Sequence, residues 1–101
     1  MVHTQATPVY TDGSRSMEGA GFAVLFPERS FSFTLPSHAA VLTSELYAIS
    51  FALRTMLTFP SSAFVLFTDS FSALQLLSAH SRPHPLVREI QDWLFRLAAR
   101  Q

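Results

Sequence analysis

The hydrophobic period of this chain switches at Pro36. Ahead of it, Phe31-Ser32-Phe33-Thr34-Leu35 alternates strictly, with the apolar side on 31, 33 and 35. That is the two-residue period of a strand with one wet face. Behind it, from about His38 to Thr58, Leu46, Ile49, Leu53, Met56 and Leu57 recur at three- and four-residue steps, the signature of a helix. A chain holding both periods must stack sheet against helix, which points to an α/β layer fold.

The remaining elements fill in around this switch. Val9 to Thr11 is a short β-rich run, stopped by Asp12-Gly13-Ser14, and residues 15–18 read as a loop. Gly19 to Phe26 reads as a strand, ended by the turn Pro27-Glu28. Ser37 is placed to cap the long helix, and Pro60-Ser61-Ser62 closes it. Phe64 to Phe67 is a continuous apolar run, as expected of a strand covered on both faces. Ser70 to Ala79 reads as a helix with Phe71, Leu74 and Leu77 inward, and residues 80–85 as a loop. Leu86 to Arg100 forms the last helix, with Leu86, Ile90, Trp93, Leu94 and Leu97 on its inner side. Arg88, Asp92 and Arg96 follow at four-residue steps outside, a solvated ladder in which the two arginines pair with Asp92. The order β-β-β-α-β-α-α predicts a mixed sheet. Three antiparallel strands are followed by a right-handed crossover to a parallel fourth. Residues 1–8 read as a leader and residues 9–101 as a single domain.

Composition narrows the class. The chain has 101 residues, 49% hydrophobic with ten Phe, enough for a core and against disorder. Cysteine is absent, so neither a disulfide framework nor a thiolate metal site is available. Lys+Arg and Asp+Glu are both 7, which gives no electrostatic pull toward nucleic acid. No run approaches a membrane span, and Met1 to Pro8 lacks a signal-peptide pattern. The default is an intracellular protein, cytoplasmic or nuclear, with no membrane partner.

Two apolar runs end alike: Val9-Tyr10-Thr11-Asp12 and Phe64-Val65-Leu66-Phe67-Thr68-Asp69. If those strands are parallel neighbours about 5 Å apart, Asp12 and Asp69 emerge together at one end of the sheet. Glu45, four residues before Ile49, lies along the edge of the helix's apolar stripe and projects toward the same place. Each acid has a plainer reading: Asp12 as a turn residue, Asp69 as a helix N-cap, Glu45 as an acid favoured by the helix dipole. Together, three carboxylates at element ends form a candidate site for a divalent metal and for phosphoryl chemistry. The hydroxyls of Ser14, Thr43, Ser44 and Ser70 are candidate phosphate contacts, although capping and turn roles are commoner for such groups.

At this point the chain resembles the type 1 ribonuclease H domain, in the version attached to retrotransposon reverse transcriptases. The carrying blocks are Tyr10-Thr11-Asp12-Gly13-Ser14, Gly19-Ala20-Gly21-Phe22-Ala23, Ser44-Glu45-Leu46-Tyr47-Ala48-Ile49 and Phe67-Thr68-Asp69-Ser70, in that order. The resemblance implies an endonuclease that cuts the RNA strand of RNA–DNA hybrids with two Mg²⁺ ions, Mn²⁺ substituting. Asp12 would bridge both metals, Glu45 would bind one and contact the RNA, and Asp69 would ligate and orient the water. Gly13 and Ser14 would bring backbone groups near the scissile phosphate. Recognition would use ribose 2′-hydroxyls and hybrid shape. A reverse transcriptase domain of the same polyprotein is an implied partner.

The resemblance also implies a fifth strand, a His-bearing loop and a final helix with a fourth carboxylate, none of which precedes Gln101. His3, His38, His80 and His84 read as surface residues instead. The chain is therefore expected to be C-terminally truncated, and the alternative reading is a catalytically inactive remnant acting as a nucleic-acid-binding or structural module. A third reading is an unrelated α/β ligand-binding or oligomerising module. Only Arg82, Arg88, Arg96 and Arg100 offer charge near the last helix, so a weak hybrid affinity with a shallow salt slope is expected.

Overall fold

The computed structural model describes residues 6–16, 19–36, 41–59, 63–78 and 84–99. The elements run β1 (Thr7–Ser16), β2 (Gly19–Leu25), β3 (Ser30–Leu35), α1 (Val41–Met56), β4 (Phe64–Thr68), α2 (Phe71–Ser78) and α3 (Pro85–Ala99). The four strands form one sheet in the order β3-β2-β1-β4. β1 to β3 pair antiparallel and β4 joins β1 in parallel. This is the mixed α/β sheet expected from the sequence.

α1 packs across β1 and β2, and α2 and α3 pack on α1. The core lies between: Val9 and Val24 from the sheet, Leu46, Ile49, Leu53 and Met56 from α1, Val87 and Ile90 from α3. The spacing that announced α1 is thus the stripe it buries. The Trp93 indole N–H donates to the Ser50 hydroxyl at 3.2 Å and fastens α3 to α1. α3 starts one residue earlier than its apolar pattern suggests. Pro85, with no N–H to satisfy, takes the first helical position, and the Leu86 N–H donates to His84 Nδ1 at 3.0 Å. Arg96 lays its guanidinium over the Trp93 ring, 5.2 Å from the centroid, so its partner is an aromatic face.

Five expectations need correction. Leu94, expected on the inner side of α3, is exposed, because the helix buries the stripe Val87, Ile90, Trp93 and Leu97 and Leu94 falls beside it. β1 does not stop at Asp12-Gly13. It runs to Ser16, because β2 carries the ladder past the turn-prone pair, matching Asp12 with Ala23 and Gly13 with Phe22. It also begins at Thr7, inside the expected leader, because Thr7 and Pro8 pair with Phe64 and Val65. β4 is covered on one face only. Val65 and Phe67 are exposed, with Tyr10 stacked on Phe67 at 5.0 Å, because the helices described lie on the opposite side. In α2 the inward residues are Ala73, Leu76 and Leu77, whereas Phe71 is 71% exposed and Leu74 is exposed too. The small Ala73 marks the close approach, and a pattern read from large side chains passes over it. The expected roles of Ser37, His3, His38, His80, Glu18, the Ser14 hydroxyl and residues 60–62 lie outside the described residues and side chains.

Ser70 caps α2. Its hydroxyl accepts the Ala73 N–H at 3.2 Å, while its own N–H donates to the Thr68 hydroxyl at 3.1 Å. Ser70→Ala is expected to cost about 1 kcal/mol, as for other N-cap hydroxyls. The shift of the urea unfolding midpoint checks it, and an unchanged midpoint would show that the cap is idle.

Candidate metal centre

Thr11 and Thr68 form the last parallel pair of β1 and β4, so Asp12 and Asp69 leave the ladder together. The two threonines act as a latch. Thr11 Oγ1 donates to the Phe67 carbonyl across the pair at 3.4 Å, and Thr68 Oγ1 accepts from Ser70. Their roles were not anticipated, although the repeated Thr ahead of each Asp was a visible signal. With Ser70 as the cap, Asp69 is freed of that duty.

Beyond Thr11–Thr68, β4 has ended while β1 continues. Gly13 fills this gap in a way only glycine allows. A Cβ there would stand 2.5 Å from the Glu45 backbone nitrogen, 2.7 Å from the Ser44 carbonyl carbon and 2.9 Å from Glu45 Cα. α1 therefore rests directly on the β1 backbone. The Gly13 N–H, past the last β1–β4 pair, hydrogen-bonds the Glu45 carboxylate instead of a strand.

The result is a cluster of three acids. One carboxylate oxygen from each of Asp12, Glu45 and Asp69 lies within 4.8 Å of the others, with Asp12 and Asp69 exposed and Glu45 buried. Glu45 is only 6% exposed, and its Oε2 is buried with no hydrogen-bond partner. Burial is the main cause that raises the Glu45 pKa above its ordinary 4.5. Asp69 and Asp12 add to this by repulsion, against the Gly13 N–H, which lowers it. A buried carboxylate oxygen without a donor is costly, and a hard divalent cation is the partner that oxygen-only donors suit. The donor set therefore fits Mg²⁺ or Mn²⁺, which Asp12, Glu45 and Asp69 could hold.

This geometry has a measurable pH consequence. Because Glu45 titrates higher in the folded than in the unfolded chain, the folded state holds the extra proton above about pH 4.5. The metal-free fold is then most stable below that window and loses stability as pH rises through the raised folded value. Urea midpoints across this range should fall in the wild type. Glu45→Gln, which cannot ionise, should flatten the slope and raise the midpoint at neutral pH. A wild-type midpoint that climbs with pH would contradict the burial of an ionisable Glu45.

The other expected contacts divide. Gly13 adjoins the acids, with its N–H committed to Glu45. Ser44 is fully buried beneath Gly13, so its hydroxyl is closed to an incoming phosphate. The Ser70 hydroxyl is engaged as a cap. His84, as expected, is a surface residue.

No family model matches the chain, and no curated protein matches it. No helix among the described residues is long and apolar enough to cross a membrane.

Proposed function

We propose that the protein is a divalent-metal-dependent endonuclease acting on the RNA strand of RNA–DNA hybrids. The observation that carries the reading is Glu45, a buried carboxylate with an orphaned oxygen, held against two exposed aspartates at the end of a parallel strand pair. The order of the four motif blocks in the sequence supplies the substrate class.

In this reading Asp12, Glu45 and Asp69 would hold the Mg²⁺ or Mn²⁺ ions. When bound, such ions polarise the phosphoryl oxygens and lower the pKa of the attacking water. The chain's own groups do the positioning. Asp69, at the exposed side of the cluster, would accept a hydrogen bond from the attacking water and aim it at phosphorus. Gly13 fixes the Glu45 carboxylate through its N–H. Glu45 accepts from the ribose 2′-hydroxyl beside the scissile bond, which DNA lacks. A reverse transcriptase would be the natural source of such hybrids.

An end-labelled hybrid incubated with Mg²⁺ or Mn²⁺ tests the proposal. Cleavage of the RNA strand, abolished by chelation and by Asp69→Asn, is the expected result. The described residues bring three acids to the centre and not a fourth, which favours as second reading a non-catalytic, metal-binding nucleic-acid module. Metal binding by folded protein without cleavage would select that module over the nuclease.

A further inference from the structure

α1 packs chiefly on β1 and β2 and meets β3 through Phe51, so a shallow trough of partly exposed rings runs along the α1–β3 edge. Its floor is aromatic. Phe22 pairs with Phe33 across β2 and β3, and the rings stack at 4.8 Å and 28°. Tyr47 of α1 continues the row, 6.2 Å from Phe22 and within 10° of parallel. Phe51 closes the lower end, 4.7 Å from Phe33 and 5.0 Å from Phe31. Although these rings line the helix-bearing side of the sheet, the end members stay open: Phe33 is 39% and Tyr47 40% exposed.

Two guanidinium groups border the trough. Arg54 lies over Phe51 at 5.5 Å and Arg29 over Phe31 at 5.3 Å. Both arginines are exposed, and Glu28 is the acid nearest in sequence to this rim. An apolar protein segment would have no use for the cations, and a base-paired duplex does not offer base faces. Flat rings flanked by arginines match bases that stack and phosphates that need countercharge. The trough also reaches the acid centre, because Phe22 pairs with Gly13, on which the Glu45 turn of α1 rests. From Tyr47 to Arg54 is about 10 Å along the helix.

We propose that the trough between α1 and β3 binds an unpaired nucleic-acid strand, its bases stacked on Tyr47 and Phe33 and its phosphates met by Arg54 and Arg29. The site holds the single strand that flanks a duplex engaged at the three acids. It rests on the nucleic-acid reading of that centre, but its test does not depend on cleavage.

The test is fluorescence anisotropy with a short labelled oligothymidylate, the matching oligouridylate, and an abasic strand of equal length. Tyr47→Leu and Phe33→Leu keep apolar volume and remove the flat face, and each should weaken binding about tenfold, within the range for one lost base–aromatic stack. Arg54→Gln should shallow the salt slope by about one. Mn²⁺ titration of the acids should be unchanged in all three, which also shows that the variants are folded. Comparable binding of the two oligonucleotides marks a stacking site, and preference for one names the strand it takes. Equal binding of the abasic strand, unchanged binding in both leucine variants, or no binding by the wild type would each overturn the proposal. If Asp69→Asn and the wild type both fail to cleave while ring-dependent binding persists, only the nuclease reading falls.

Discussion

Gly13→Val is expected to lower stability by about 3 kcal/mol, the upper end of overpacking costs. Against a total of about 5–15 kcal/mol for a domain, that is a large fraction. The cost is set by what the new side chain meets. Its neighbours are the backbone atoms of Ser44 and Glu45, the nearest 2.5 Å away. A flexible side chain would swing aside, whereas a helix turn has to retreat as a unit. That retreat carries Glu45 away from Asp12 and Asp69, so Mn²⁺ affinity should fall with stability. Gly13→Ala should act in the same direction, because the clash begins at Cβ. Urea unfolding and Mn²⁺ titration read the two effects, and an unperturbed Gly13→Ala protein would refute the close approach.

Asp12→Asn should separate stability from metal binding. Loss of a partner behind a metal ligand already costs ten- to a hundredfold in affinity, so loss of this ligand should weaken Mn²⁺ binding by at least about a hundredfold. Cleavage should disappear with it. The metal-free protein, however, should become more stable near neutral pH, because Asp12 is one of the charges that disfavour ionised Glu45. Calorimetric Mn²⁺ titration beside urea unfolding in chelator makes the comparison. A variant that binds Mn²⁺ like the wild type would remove Asp12 from the site.

Both predictions rest on features of unequal legibility. The change of period at Pro36 and the apolar steps of α1 were readable because amphipathic patterns follow directly from one-sided burial. The two Thr-Asp ends were readable as a pair because parallel strands present like ends together. The number of layers was not. The run Phe64 to Phe67 looks the same whether one face or two are covered, and here Val65 and Phe67 lie open. Local turn preference misled at Asp12-Gly13, where pairing with β2 overrides it. The division of labour between Asp69 and Ser70 was hidden too, since either residue is a good cap and only the hydrogen bonds assign the role to Ser70. The closeness of Gly13 to α1 leaves no mark in one sequence, because a glycine reads first as a turn.

The three carboxylates come from β1, the first helix and the end of β4, so no local segment holds two of them. The site exists only after the parallel β1–β4 pair has closed in register and α1 has seated on Gly13. Such closures between distant segments are slow steps of folding. Metal capture at these acids would thus be a clock for the whole domain. In a refolding experiment, Mn²⁺ uptake should trail the far-ultraviolet signal of the helices and arrive with the last cooperative phase, so the ion reports completed topology and not early collapse.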